Sequence, residues 1–522
     1  MENRSPLTEE LLKVYSKLTE GDLKNAMGKA REAFLGWSPI PLAQRLKLIG
    51  ALRRLIIAQI DEIVDLLRLV TGKTRVEALI NEIFPTLDAI RFYEKQAASI
   101  LKTHITSRRL TYPNCVFSLE YHPLGVILIL SPRNFPFQLS LIPMVTALAA
   151  GNSVVLKPSE ATPGIGELIS GLLGEARFPP DLVQVIFGDG ETGEQLIAAQ
   201  PDFIFLTGST TAGKRVMKAA ANGLIPVLLE LGGKGPMIVF EDANFERAVN
   251  GAVYGAFANA GQVCVSVERV YVQNSIYEAF AHRVAEKARS LGVGLTDDDD
   301  IGAINSPSQI EIIKNHIEDA KAKGAILMTE FAFDDGFVKP VVLKDANHTM
   351  KIMREETFGP VLPLMPFQTE EEAIRLANDS PYGLNASIWT RDLRKARPVA
   401  SRLLTGSCAI NDVIKNIGNP RLPFGGIKQS GFGRYHGAEG LRAFSRQMSV
   451  MVNKGQMVRE INWFPYSSEL FDNLKNFIRI IFGDWRQWPG WLNLFRTIHY
   501  FRRILRTVTP SNPGQAKRED YE

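Results

Sequence analysis

Three cysteines in 522 residues are too few to staple a fold, so a disulfide framework is excluded and a reducing, cytoplasmic setting is expected. Charge of one sign is also scarce. Sixty Lys and Arg stand against 56 Asp and Glu, a net charge of +4. That is too small to imply a nucleic-acid partner, and the main body has no basic-aromatic interleaving on which bases could stack. Long apolar runs are missing: no stretch approaches the roughly eighteen uncharged residues of a membrane-spanning helix. The N-terminal segment alternates charge with leucine and so lacks the apolar centre of a secretory signal. Repeats of solenoid length are absent. The acidic run Asp297 to Asp300 lacks the carboxylate-glycine spacing of a calcium loop, so it reads as a solvated turn and no metal is expected. What remains, 45% hydrophobic and 22% charged residues, is the composition of a soluble globular enzyme with room for two or three domains.

Periodicity then divides the chain. Leu7 to Leu18 and Ala43 to Leu69 repeat apolar residues at three- and four-residue spacing, which predicts helices. From about Tyr121 short apolar runs take over: Val126 to Leu130, Val154 to Leu156, Val183 to Phe187 and Phe203 to Leu206. They alternate with helix-like segments such as Leu139 to Ala149 and Pro163 to Leu173. This alternation predicts βαβ units and a parallel sheet covered on both faces, a doubly wound α/β fold. A second α/β stretch runs from about Glu230 to Gln429, with helices expected over Ser308 to Lys323 and Glu370 to Asn378. Ligands of such folds bind beyond the carboxyl ends of the strands. Ser131 to Pro136, Lys157 to Glu160 and Gly208 to Gly213 each follow a predicted strand.

The chemistry centres on Cys264. A lone cysteine is commonly an inert, buried apolar residue, the role assigned to Cys115 and Cys408. Cys264 differs because a carboxylate, Glu230, closes the apolar run from Ile225, and an amide, Asn134, follows the run ending at Leu130. Thiolate, base and oxyanion donor are what attack on a carbonyl carbon requires. Gly208, Ser209, Thr210, Thr211, Ala212 and Gly213 open a helix expected over Lys214 to Ala221, and exposed amides at a helix start bind phosphate. The stretch is not GxGxxG, and a plain strand-to-helix turn reads equally well. Lys157 and Glu160 can hydrogen-bond ribose hydroxyls, and the carboxylate would repel a 2′-phosphate, favouring NAD over NADP; solvated surface charge is the alternative. Glu356 and Phe358, at a Gly-Pro turn, could grip a second ribose and wall a ring.

Taken in order, these segments resemble the aldehyde dehydrogenase superfamily over about residues 10 to 450. They are Asn134 in Pro-x-Asn-Phe-Pro, Lys157-Pro-Ser-Glu160, Thr207-Gly-Ser-Thr, Glu230-Leu-Gly-Gly-Lys234, Gly261-Gln-Val-Cys264, Glu356-Thr-Phe-Gly-Pro360 and Pro423-Phe-Gly-Gly426. Asn411-Asp-Val413, Tyr435-His-Gly437 and the C-terminal extension are similar to the class 3, fatty aldehyde dehydrogenase-like branch. The resemblance implies a nucleophilic Cys264, an oxyanion held by Asn134 and the Cys264 amide, and Glu230 as base toward water. Lys157, Glu160, Gly208 to Gly213, Glu356 and Phe358 would hold NAD, with NADP an accepted second cofactor in that branch. It further implies an NAD-binding domain (1–103 and 124–229), a catalytic domain (230–430) and a small β bridging element (104–123 with 431–454) that makes a homodimer. Arg133 stands where many relatives carry tryptophan, and Gly235 replaces a common serine.

The expected reaction is therefore NAD-dependent oxidation of a lipophilic aldehyde (long-chain aliphatic, aromatic or apocarotenoid) to its acid. The rivals are an acylating dehydrogenase or reductase of the same superfamily, which Glu230 disfavours, and a catalytically silent binding protein. The extension 455–522 holds Trp463, Trp485, Trp488 and Trp491. On a helix from Trp491, residues Leu494, Phe495, Ile498, Phe501 and Leu505 fall near one face, with Arg496, Arg503 and Arg506 mostly elsewhere, and Leu470 to Phe482 forms a second amphipathic stretch. Such helices lie in a membrane interface or pack on protein, and peripheral membrane contact is the reading preferred here.

Overall fold

The structure, a computed structural model, describes residues 2–4, 11–16, 18–105, 115–304, 306–334, 336–455, 458–483 and 490–508. The chain divides into two compact units: Met1–Lys102 with Glu120–Met448, and Thr103–Leu119 with Ser449–Glu522.

The first unit is built on two sheets. One has six strands in the order Gly431–Phe432, Val227–Glu230, Phe203–Thr207, Val126–Leu130, Ser153–Lys157, Val183–Val185. All neighbours run parallel except Gly431–Phe432, which is antiparallel to Val227–Glu230. Every residue of its three central strands is buried, as continuous β-branched and aliphatic runs require when helices cover both faces. Alternation along each strand separates two cores. Ile127, Ile129, Val154, Leu156 and Phe205 face one cluster, and Val126, Leu128, Val155, Ile204 and Leu206 the other. The second sheet has seven strands, ordered Ile326–Leu327, Val341–Lys344, Val361–Phe367, Val267–Gln273, Gly235–Val239, Asn385–Trp389, Ser407–Ile410, parallel but for the first. The chain leaves the first sheet at Glu230 and enters the second at Gly235, so the intervening turn lies where the two sheets meet.

The second unit contains most of a three-stranded sheet, ordered Ser445–Asn453, Cys115–Pro123, His104–Ile105. It also holds two helices, Ser468–Phe482 and Gly490–Val508, packed through Leu470, Phe477 and Ile504.

Two expectations of the fold are corrected. Leu11–Val14, inside the stretch expected to be helical, is a strand paired with Glu2–Arg4; the rest of Leu7 to Leu18 that could have extended a helix is either outside the described residues or coil. The long helical stretch from Ala43 breaks at Gln59 into Leu42–Ala58 and Ile60–Thr71. In the extension, Phe495 and Ile498 face solvent at 67% and 40% exposure, whereas Thr497 and Ile504 are buried. A wheel gives the angular spread of side chains but not which arc meets a neighbour, and here the Ser468–Phe482 helix chose the Thr497–Ile504 side. Trp485 and Trp488, and the side chains of Trp491, Leu494 and Arg506, lie outside the described residues.

Candidate active site

A cavity of about 490 Å³ lies at the carboxyl ends of the six-stranded sheet, and Cys264, Glu230 and Asn134 all line it. Each arrives from a different element. Asn134 sits in the loop between strand Val126–Leu130 and helix Gln138–Ala150. Glu230 ends its strand, pairing with Thr207 on one side and Gly431 on the other. Cys264 follows a tight turn in which Asn259, Ala260 and Gly261 all have left-handed backbone, with φ of 52°, 54° and 72°. Gly261 is required there, because a Cβ would strike the Gly359 carbonyl.

The side-chain amide of Asn134 donates to the Gln262 carbonyl at 2.9 Å. An amide nitrogen carries two hydrogens, so one remains for a second acceptor in the cavity. Both carboxyl oxygens of Glu230 are buried without a hydrogen-bond partner. Burial raises that carboxyl well above the usual range, and the Arg434 guanidinium pulls it part of the way back. An orphaned buried carboxylate costs stability, which marks it as a group kept for chemistry rather than for packing. The Cys264 sulfur borders the cavity but is enclosed by protein on the scale that solvates a charge. Burial, then the carboxylates of Glu356 and Glu230, pushes its thiol up to about 12.

The remaining predicted residues line the same cavity in part. Lys157, Glu160, Gly208, Ser209, Ala212, Glu356 and Phe358 border it; Thr210, Thr211 and Gly213 do not. The helix begins at Thr210 rather than Lys214, with Ser209 as its cap, its hydroxyl accepting from the Ala212 amide at 3.2 Å. Thr210 donates to the Gln429 carbonyl at 3.0 Å. A Cβ on Gly213 would press on Leu231, so this glycine serves close helix-to-strand packing. Lys157 donates to the Gly188 carbonyl at 2.7 Å and reaches Glu160 at 3.5 Å; its burial lowers the ammonium from its ordinary value. Glu356 accepts from the Gly233 amide at 2.9 Å, and burial raises its carboxyl to about 8. Phe358, itself at φ 49°, carries the Arg133 guanidinium 5.9 Å from its ring centroid. Arg133 also donates to Gln309 at 3.1 Å.

A family model described as the aldehyde dehydrogenase family matches residues 1–450. The chain belongs to the aldehyde dehydrogenase family. A 4,4'-diapolycopene aldehyde oxidase of Methylomonas sp is 47% identical over 92% of this chain and 91% of its own length. A betaine aldehyde dehydrogenase of Cereibacter sphaeroides is 35% identical over 86% of this chain and 93% of its own. Among solved structures, the NAD+ complex of aldehyde dehydrogenase from Bacillus cereus superposes with a TM-score of 0.83 at 36% identity, covering 87% of this chain and 93% of that one.

Several residues of this aldehyde dehydrogenase's site escaped the sequence reading. Glu268 accepts from the Thr357 and Phe358 amides at 2.8 and 3.0 Å and pairs with buried Lys234 at 2.6 Å. It thereby fixes the turn that presents Glu356 and Phe358. Gly190, Gly193 and Glu194 line the cavity beside Lys157. A glycine-aspartate-glycine run after a strand, Gly188 to Gly190, was the available signal for these. For Glu268, the adjacent charges Glu268 and Arg269 within a valine-rich strand were the only hint. Among the described residues no group of His, Cys, Asp and Glu could hold a metal.

Proposed function

We propose that the chain oxidises a lipophilic aldehyde to its carboxylic acid with NAD, using Cys264, Asn134 and Glu230. The observation that carries this reading is the shared cavity: a sulfur, an amide with a free N–H and a carboxylate with both oxygens unpartnered border one space. The Cys264 thiolate adds to the aldehyde carbon, and the free N–H of Asn134 with the Cys264 amide takes the developing oxyanion. Loss of hydride from that carbon leaves a thioester, and Glu230 then accepts a proton from the water that attacks it, so that the acid leaves and the thiolate is restored. A thioester dehydrogenase that hands its acyl group to another nucleophile has no use for that buried base.

Lys157, Glu160, Gly208, Ser209, Glu356 and Phe358 fit a dinucleotide. Two carboxylates suit two riboses, and a capped helix start suits the pyrophosphate. Bound NAD supplies the hydride acceptor. The named NAD+ complex supports this choice. The diapolycopene-oxidising relative supports a lipophilic substrate.

The same reading extends to surroundings. The three-stranded sheet serves homodimer formation, and the C-terminal helices rest on a membrane surface from the cytoplasmic side. Phe471, Ile478, Phe482 and Phe495 are all at least half exposed there, beside Lys475, Arg479 and Arg496. Among the described residues no helix is long and apolar enough to cross a bilayer.

Rapid mixing with aldehyde and NAD tests the core of the proposal. One NADH per active site is expected as a burst. Cys264→Ser abolishes it, whereas Glu230→Gln retains the burst and slows turnover about 100-fold or more. A full-rate steady state in Glu230→Gln would remove Glu230 from the mechanism.

A further inference from the structure

Behind the Asn134 loop lies a fully buried ion pair that the proposed chemistry does not use. Lys73 and Glu82 have no exposed side-chain surface and meet at 2.6 Å. Lys73 follows helix Ile60–Thr71, and Glu82 belongs to a five-residue π-helical turn, Leu79–Ile83. Such turns are uncommon and concentrate at functional sites.

The pair grips the Asn134 segment at both ends. The Lys73 ammonium donates to the Asn134 backbone carbonyl at 2.9 Å and lies 4.7 Å from the centroid of the Phe135 ring. The second Glu82 oxygen accepts from the Phe137 and Gln138 amides at 3.1 and 2.9 Å, supplying the cap that the Gln138–Ala150 helix lacks from its own Phe137. One turn before Glu82, Glu77 accepts from the Asn259 amide, at the first of the left-handed residues that lead to Cys264. Asn259 closes the circuit: its side-chain amide donates to the Asn134 carbonyl at 3.3 Å and to the Gln262 carbonyl at 3.2 Å. Gln262 is the acceptor of the Asn134 side chain.

We infer that Lys73 and Glu82, with Glu77, are positioning residues that hold the Asn134 loop and the turn before Cys264 in a single register, so that the Asn134 N–H meets the oxyanion formed at Cys264. A buried ion pair is weak evidence for stability, since a hydrophobic pair of similar volume often serves as well. Each partner of this pair instead also reaches the backbone of the Asn134 segment, Lys73 at the Asn134 carbonyl and Glu82 at the Phe137 and Gln138 amides. Donors must sit within a few tenths of an ångström of the developing charge, and the left-handed Asn259–Ala260 backbone needs outside restraint to persist. The inference rests on the reading of Asn134 as oxyanion donor.

The test uses the full chain and the variants Lys73→Met/Glu82→Gln, Lys73→Arg and Asn134→Ala. The double variant removes both charges of the Lys73–Glu82 pair together, and its glutamine oxygen still caps the helix. Its NADH burst rate constant should fall about 10- to 100-fold, with NAD affinity, measured by quenching of protein fluorescence, and alkylation of Cys264 by iodoacetamide each within about twofold of the parent. Neither readout uses the oxyanion site. Lys73→Arg should recover most of the burst rate. An unchanged burst in the double variant overturns the inference. So does a lost burst accompanied by equal losses in NAD affinity and alkylation, which marks general damage. Asn134→Ala should slow the burst about 10²- to 10³-fold; a full-rate burst there overturns the underlying reading, a result separable from failure at Lys73 alone.

Discussion

Cys264, the proposed nucleophile, sits in an environment that opposes its ionisation. Burial and two carboxylates hold the thiol near about 12, so at neutral pH the thiolate is a minor species and its population grows tenfold per pH unit. Inactivation of the cofactor-free protein by iodoacetamide should therefore accelerate about tenfold per unit between pH 7 and 9, and a rate flat over that range would show a thiol already ionised. Bound NAD would add positive charge to the cavity that Cys264 lines, so its presence should raise the rate at any given pH. Glu230 titrates in the same sense. Its folded carboxyl lies well above the ordinary range, the basic form appears only as pH rises, and thioester hydrolysis should climb with pH through that value. Single-turnover measurements on the isolated acyl-enzyme would show it. These two residues and Asn134 were legible in the sequence because each follows an apolar run within a distinctive neighbourhood. Lys73, Glu82 and Glu268 were not. A charge in or beside a helix or strand reads as solvated until tertiary packing closes over it.

Among the elements, the continuous apolar strands were readable because burial on both faces imposes one composition at every position. Leu11–Val14 was misread as helix because a short apolar-charged alternation serves either period, and pairing with Glu2–Arg4 decided it. The turn before Cys264 is the element most sensitive to change. Gly261→Ala places a Cβ against the Gly359 carbonyl on a backbone with φ of 72°. Neither atom is the end of a flexible side chain. Loss of about 1–3 kcal/mol from the backbone strain alone is expected, read as a lower thermal midpoint, together with loss of the NADH burst. Retention of both would mean that the turn tolerates a different conformation.

For the molecule as a whole, two sheets meet where four residues, Leu231 to Lys234, carry the chain from one to the other. The cavity lies at that junction, so residues distant in sequence share it, among them Asn134 and Glu356. The C-terminal helices are a separate matter. They bury Leu470, Phe477 and Ile504 between themselves and leave Phe471, Phe482 and Phe495 exposed. Flotation with anionic vesicles should carry the full chain upward and leave behind a chain ending at Lys454; equal behaviour of the two would end the membrane proposal. A series of aldehydes graded by chain length should show kcat/KM rising with length if the substrate is lipophilic, at about 0.8 kcal/mol per buried methylene, or roughly fourfold.

The sequence by itself determined the doubly wound strands, the order of the site segments and which cysteine, carboxylate and amide are proposed for the chemistry, because period, burial and local motif are properties of neighbours along the chain. Only the tertiary structure decided which carboxylate is left without partners, which face of the last helix is covered, and that Lys73 reaches the backbone of the Asn134 loop. Those depend on what lies across the core, and solvation, charge pairing and hydrogen bonding are fixed by proximity in space.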